Sequence, residues 1–190
     1  MNRPFAESFF NRDDHIVLGR RLLPLSLWHL TQLEIAGSPY FIGRSFPMAK
    51  DLRLAVTVCT TPFPRLPDLS GRRLAWDWLR SWRCDFLRET AKFRAYLDDF
   101  NALPQIWKKP ETGKSSGRQP ASLPWALAVV SGICSSTGWS AGTAWNLPVG
   151  QAYWYHVAFA MQKGCEVNLM SDGDLLAVEK VKARRAARRD

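Results

Sequence analysis

Closely spaced cysteines and histidines are missing from this 190-residue chain. Its four cysteines, Cys59, Cys84, Cys134 and Cys165, are never closer than 25 residues, whereas zinc sites usually take two ligands from one turn. Disulfide frameworks belong to short secreted chains that are dense in cysteine. We therefore interpret the four residues as reduced, partly buried thiols, and we predict neither a metal nor another cofactor.

Residue arrangements typical of enzymes are also absent from the sequence. His29 and His156 have no carboxylate or thiol three or four residues further on, although ligating and catalytic histidines need an orienting partner. There is no G-x-S-x-G, and TGKSS at residues 112–116 lacks the earlier glycine of a phosphate-binding loop. We predict that both histidines are hydrogen-bonded and partly buried, and that the protein is not an enzyme.

Long apolar runs are absent too. The longest, at residues 123–130, falls well short of the about 20 residues that a membrane-spanning helix needs. Residues 1–15 include Glu7, Asp13 and Asp14 and contain no apolar run, so we do not expect a secretory signal. These features predict a cytoplasmic protein without a membrane span.

The chain does contain much apolar material and an excess of positive charge. Hydrophobic residues make up 46% of it, with nine Trp and ten Phe, which is enough for a real core. The net charge of +9 comes almost wholly from residues 104–120 and 180–190. The second segment is a basic tail, which we expect to contact phosphate or an acidic surface weakly and without sequence preference. Its basic residues are Lys180, Lys182, Arg184, Arg185, Arg188 and Arg189.

The spacing of apolar residues predicts an all-α fold with two small helical lobes. The N-terminal lobe covers residues 1–103, and the C-terminal, aromatic-rich lobe covers residues 122–183. Residues 104–121 are rich in Pro, Gly, Ser and Lys, a composition typical of a linker. Residues 184–190 continue the basic tail beyond the last helix.

Capping residues, prolines and glycines indicate where the N-terminal helices begin and end. Ser26 as N-cap and Gly37 after the last turn bound the first helix. Residues 48–59 form the second, with a strand as the alternative because of their β-branched content. A third, amphipathic helix of up to eight turns is predicted over residues 72–100. Its apolar positions, which we interpret as core rather than as a cofactor site, are Ala75, Leu79, Trp82, Phe86, Phe93, Leu97 and Phe100.

The C-terminal helices have similar signals. Ser122 is the predicted N-cap of a helix that Gly138 ends, and the aromatic segment 139–148 is read as a turn. Gly164 ends the next helix. Ser171, with Asp174 three residues later, resembles a capping box for the last one, at residues 172–183.

Aromatic residues are dense in the C-terminal lobe, where six Trp and Tyr fall within residues 125–155. Two interpretations stay open. The rings form the lobe's own core, or some are exposed for contact with another protein, because Trp and Tyr carry much of the binding energy at interfaces. The candidate partner-binding residues are Trp139, Trp145, Tyr153 and Trp154.

Two parts of the chain resemble small proteins from the tail region of long-tailed phages. The first is LGRRLLPLSLWHLTQLEIAGSPYFIG at residues 18–43 with DLRLAVTVCTTPF at residues 51–63, where a Pro-led helix precedes a second short helix. The second is WNLPVGQAYWYHVAFAMQKGCEVNLMS at residues 145–171, where a Trp-x-x-Pro sequence leads into an aromatic-rich helix that ends at glycine. On these stretches the chain resembles a phage tail-assembly chaperone.

The resemblance implies a helical protein that coats the tape measure protein while the tail tube assembles, and that is commonly absent from the finished particle. Because no single set of functional residues defines this family, the resemblance assigns no functional residue to this chain. Many such chaperones are acidic, whereas this chain is basic, with the excess in the predicted linker and tail. The expected partner is a long helical protein, and oligomerisation is compatible with this function. The alternatives are a minor structural tail protein and a nucleic-acid-binding accessory protein that uses its basic tail.

Overall fold

The protein is mostly helical over the residues that the structure describes, which confirms the all-α prediction. The structure is a computed structural model, and it describes residues 3–10, 14–42, 47–68, 70–100, 103–104, 124–165 and 167–186. The predicted cap Ser122, most of the predicted linker and the last four residues of the tail lie outside the described residues.

Ten helices and one two-stranded antiparallel sheet occur in the described ranges. In chain order they are α1 (Arg3–Phe10), β1 (Ile16–Val17), β2 (Arg20–Arg21), α2 (Leu27–Ile35), α3 (Pro39–Ile42), α4 (Ala49–Cys59), α5 (Gly71–Ser81), α6 (Phe86–Phe100), α7 (Trp125–Thr137), α8 (Ala141–Asn146), α9 (Val149–Gln162) and α10 (Asp172–Ala186). The sheet pairs Ile16 with Arg21 and Val17 with Arg20.

Helix α2 has both of its predicted ends. Ser26 Oγ accepts a hydrogen bond from the His29 N–H at 3.4 Å, and the Ser26 N–H donates to His29 Nδ1 at 3.2 Å. The imidazole thus takes the place that a Glu or Gln side chain holds in the usual capping box. At the other end Gly37 has a φ of +64°, a left-handed conformation that costs glycine little and ends the helix.

Most of the other predicted helix ends are also confirmed. The second helix is α4, so the strand alternative is wrong. Gly138 and Gly164 follow α7 and α9 with φ values of +72° and +82°. The Ser171 N–H donates to Asp174 Oδ2 at 2.9 Å, and the Asp174 N–H donates to Ser171 Oγ at 3.2 Å, which completes the capping box of α10.

The predicted turn at residues 139–148 is wrong, because most of this segment forms helix α8. Ser140 begins that helix, and its Oγ accepts a hydrogen bond from the Thr143 N–H at 3.1 Å. The sequence contains this cap signal, but the helix has only six residues, which is too few for an apolar period to be recognised.

The predicted single helix over residues 72–100 is also wrong, since the chain divides there into α5 and α6. Asp85 Oδ1 accepts hydrogen bonds from the N–H groups of Leu87 at 3.0 Å and Arg88 at 3.3 Å. Because a capping carboxylate satisfies the first backbone donors of a helix, α6 begins anew at this point.

The two halves of that segment differ in burial. Phe93 and Tyr96 of α6 are fully buried, and Phe86, Leu97 and Phe100 pack against the same core. Ala75, Leu79 and Trp82 are exposed instead. The core interpretation is therefore confirmed for α6 and wrong for α5.

One hydrophobic core draws residues from both sides of the predicted linker. The Val149 N–H donates to the Leu25 carbonyl at 2.8 Å, and the Leu27 N–H donates to the Leu147 carbonyl at 3.2 Å. Helix α1 packs on α9, and α2 packs on α8 and α9. The described parts of the two predicted lobes thus share one core and are not confirmed as separate units.

Candidate functional site

The four candidate partner-binding residues of the C-terminal part each lie against another aromatic ring. Trp145 meets Trp28 edge to face, with ring centroids 6.2 Å apart, and Trp154 meets Phe5 in the same way at 5.5 Å. The corresponding distance is 5.5 Å both for Tyr153 with Trp125 and for Trp139 with Tyr155.

These rings do not form one exposed surface. Trp145, Tyr153 and Trp154 are only partly accessible, and Trp139 is 38% exposed. The rings that cover Trp145 and Trp154 come from α2 and α1, far away in the sequence. Trp145, Tyr153 and Trp154 thus have the geometry of a folded interior, in which such pairs contribute about 0.5–1.5 kcal/mol beyond the burial of their area.

Four large apolar side chains that are exposed in the described part of the chain lie together on and beside α5. Their exposed fractions are 62% for Trp76, 50% for Trp78, 55% for Leu79 and 69% for Trp82. We call these four residues the α5 tryptophan surface. Apolar side chains that are exposed together in this way are a feature of interaction sites.

Neighbouring members of this surface lie three or four positions apart, so that it extends about 160° around α5 from Trp76 to Trp78. Trp76, Leu79 and Trp82 follow one another at intervals of three residues, and Trp78 is four residues before Trp82. The rings of Trp78 and Trp82 are stacked, with centroids 5.9 Å apart and planes inclined by 9°. Trp82 keeps helical backbone angles at the end of α5, so its position continues this arc.

The segment that carries the α5 tryptophan surface has an excess of positive charge. Residues 71–85 contain four Arg and two Asp, a net charge of +2. Arg72 at the start of α5, Arg83 just beyond its end and Arg88 in α6 are all exposed. The surface therefore combines apolar rings with a basic border.

One signal in the sequence marks this surface. At about 100° per residue, Trp76 and Trp78 lie about 160° apart around a helix. Two bulky rings so placed cannot both face the same core. The prediction that residues 72–100 face the core does not use this signal, because it is based only on the apolar residues that share one side of a helix and leaves out Trp76 and Trp78.

Histidine positions follow the sequence predictions only in part. His29 is buried, and its Nε2 lies 2.9 Å from the carbonyl oxygen of Thr61. Burial lowers the pKa of His29 below its ordinary 6.5, an effect that the Thr61 and Pro24 carbonyls oppose. His156 is exposed rather than partly buried, so the prediction for that residue is wrong.

Two further polar side chains of the interior lie next to polar groups distant in the sequence. His15 Nε2 lies 3.0 Å from Asp99 Oδ2, and the Tyr96 hydroxyl donates to the Leu23 carbonyl at 2.8 Å. Burial raises the pKa of the Cys59 thiol to about 12, so this sulfur is not a nucleophile near neutral pH. Among the described residues, no three His, Cys, Asp or Glu side chains are placed to hold a metal ion.

Glu89 joins α6 to the β1–β2 hairpin. Its carboxylate accepts hydrogen bonds from the Leu18 N–H at 2.5 Å and from Lys92 Nζ at 2.6 Å. Burial acts to raise the pKa of Glu89, but these hydrogen bonds outweigh it and leave the pKa below its ordinary value. The charged form of Glu89 thus fixes the hairpin turn, where Leu18 has a φ of +50°.

The basic tail is described only in part. Lys180 is exposed on α10, and Lys182, Arg184 and Arg185 belong to the same helix, although their side chains lie outside the description. Because α10 continues to Ala186, the prediction that the last helix ends at residue 183 is wrong. Arg188 and Arg189 lie beyond the described residues. The helices within the described ranges are all too short or too polar to cross a bilayer.

Comparison with known proteins identifies no relative for this chain. No family model, no curated protein and no solved structure matches it.

Proposed function

We propose that this protein is a binding protein that keeps a long helical partner soluble during assembly, as a phage tail-assembly chaperone does for the tape measure protein. The observation that carries the proposal is the α5 tryptophan surface, where Trp76, Leu79 and Trp82 are each more than half exposed. Large apolar side chains in this number are costly to leave in water, which favours a protein partner.

The surface suits a helical partner for a geometric reason. Apolar residues of an amphipathic helix recur every three or four positions, and the exposed residues of α5 have the same spacing. Two such ridges interlock when helices pack. A long partner with repeated apolar stripes offers many equivalent sites, so weak single contacts add up to strong binding through avidity.

The proposal includes no catalytic step and no cofactor. His29, Glu89 and Cys59 are engaged in caps, turns and the core. The basic tail would add attraction to an acidic partner, with the largest effect at low salt. The part of this proposal that is specific to phage tails rests on the resemblance of residues 18–43, 51–63 and 145–171 to tail-region proteins.

Co-expression with a long helical protein that is insoluble alone tests this function. We expect the wild-type chain to keep the partner in the soluble fraction, and we expect the double variant Trp76→Ala/Trp82→Ala to lose most of this effect. Ile35→Ala is the matched control, because Ile35 is 74% exposed but lies on α2, away from the surface. If the double variant still protects the partner, the α5 tryptophan surface is not the binding site.

Two further measurements distinguish the alternatives. Mass spectrometry of purified phage particles that finds the protein at a fixed copy number would establish a structural tail protein in place of a transient chaperone. Deletion of residues 180–190 is expected to remove most salt-dependent binding to DNA. Tight, sequence-selective DNA binding that survives this deletion would contradict the protein-binding function.

A further inference from the structure

The charges beside the α5 tryptophan surface specify the kind of helix that fits it. Arg72 and Arg83 are exposed, and they lie eleven positions apart in the sequence. Eleven residues make about three helical turns, and Trp82 continues the helical path, so the two positions fall on the same side of α5, about 16 Å apart along its axis. Leu79 and Trp82 lie between them in the sequence.

From this arrangement we infer that the α5 tryptophan surface binds an amphipathic helix that has a carboxylate at each end of its apolar stripe. The inference rests on the proposed function and names the chemistry of its partner. The apolar stripe covers Trp76, Leu79 and Trp82, and two Asp or Glu residues about eleven positions apart meet Arg72 and Arg83. Each arginine presents a fork of donors that matches a carboxylate.

A second copy of this chain does not suit the surface. In an antiparallel, two-fold symmetric pair, Arg72 of one copy would meet Arg83 of the other. A parallel pair would place each arginine next to its own equivalent. Both arrangements bring like charges together while the tryptophans are being buried, and like-charge contacts at an interface are unfavourable.

An anionic membrane surface suits it less well than an acidic helix. Segments that recognise acidic lipids carry clusters of about four to eight Lys or Arg, each adding attraction. Residues 71–85 carry four Arg, but Asp77 and Asp85 reduce the net charge to +2. Lipid binding is therefore an outcome that the experiment must separate from helix binding.

Three designed 18-residue peptides test the inference on the full-length protein by isothermal titration calorimetry. All three have Leu at helical spacing, and they differ at two flanking positions eleven residues apart, which hold Glu, Gln or Lys. We expect the Glu peptide to bind about 3- to 10-fold more tightly than the Gln peptide, because each of two exposed ion pairs contributes modestly, and we expect the Lys peptide to bind most weakly. The preference should shrink as salt is raised.

A charge-reversed protein provides the decisive comparison. In Arg72→Glu/Arg83→Glu the order should invert, with the Lys peptide binding most tightly. Arg94→Glu/Lys163→Glu changes the net charge equally at exposed residues on α6 and just after the end of α9, outside both the α5 tryptophan surface and the basic tail, and should keep the wild-type order. An inverted order also shows that the variant is folded.

The outcomes separate the inference from the proposed function. If all three peptides bind equally and neither double variant alters this, the acidic partner is wrong and helix binding stands. If no peptide binds, both proposals are wrong. The same holds if vesicles of phosphatidylserine and phosphatidylcholine bind while the peptides do not.

Discussion

Two tryptophan-rich regions of this protein serve different purposes. In the C-terminal part, Trp145 and Trp154 are paired edge to face with rings from α2 and α1. On α5, Trp76 and Trp82 are more than half exposed. The two regions look equally aromatic in the sequence. The difference shows that aromatic density does not identify a binding surface, because burial depends on which distant segments come to cover the rings.

The largest expected effect is that of Trp145→Ala. This change removes an indole that packs on the core and meets Trp28, so we expect a loss of about 2–4 kcal/mol in the free energy of unfolding, somewhat below the cost at fully buried sites. Urea denaturation measures it. A loss below about 0.5 kcal/mol, typical of surface substitutions, would remove the distinction between the two regions.

His29→Ala should have the next largest effect. We expect it to lower the free energy of unfolding by about 1–3 kcal/mol, because it leaves buried hydrogen-bond partners at Ser26 and Thr61 unsatisfied. The folded-state pKa of His29 is lowered, so its contribution to stability is complete above pH 6.5 and declines as the pH falls from there towards the folded pKa. Unfolding free energies measured across this range should show a decline in the wild type that is smaller in the variant. Parallel curves for the two proteins would contradict the assignment of a neutral, buried His29.

Glu89→Gln tests how α6, the helix that follows α5, is joined to the β1–β2 hairpin. We expect the free energy of unfolding to fall by about 1 kcal/mol, because an amide accepts the Leu18 and Lys92 hydrogen bonds less strongly than a carboxylate does. The pKa of Glu89 is lowered in the folded protein, so this stabilisation is present above the ordinary pKa of 4.5 and is lost as the pH falls through the folded value. Thermal unfolding of the wild type and the variant at pH 7 and pH 3 measures this pH-dependent stabilisation. The difference between wild type and variant should be smaller at pH 3, and a larger difference there would contradict the prediction.

The smallest effect on stability is expected on α5. Trp76→Ala and Trp82→Ala should each change the free energy of unfolding by less than about 0.5 kcal/mol, because both side chains are mostly in water. Binding of the helical partner should fall nevertheless. A loss of stability as large as that of Trp145→Ala would mean that these rings stabilise the fold and are not available to bind a partner.

Local signals in the sequence predict much of the helical architecture. Ser26 and Gly37 bound α2, and Gly138 and Gly164 follow α7 and α9, because capping and left-handed conformations depend on residues close in the chain. The division between α5 and α6 was not predicted, since the apolar spacing continues across it and only the cap at Asp85 marks the break.

The candidate site could not be predicted in the same way. No periodicity links Phe5 to Trp154 or Trp28 to Trp145, although these contacts decide which aromatics are buried. The assumption of two separate lobes made the C-terminal aromatics look too numerous for their own core. A core shared with α1 and α2 supplies the missing partners, whereas three tryptophans on and beside α5 are at least half exposed.

Hydroxyl-radical footprinting with mass spectrometry tests the central claim most directly, since it reports the accessibility of each tryptophan separately. In the unbound protein, Trp76 and Trp82 should be oxidised faster than Trp145 and Trp154. With the Glu-bearing helical peptide at saturation, Trp76 and Trp82 should become protected while Trp145 and Trp154 do not change. Protection at Trp139, Trp145 or Trp154 with no change on α5 would contradict the account and return the binding site to the C-terminal aromatics.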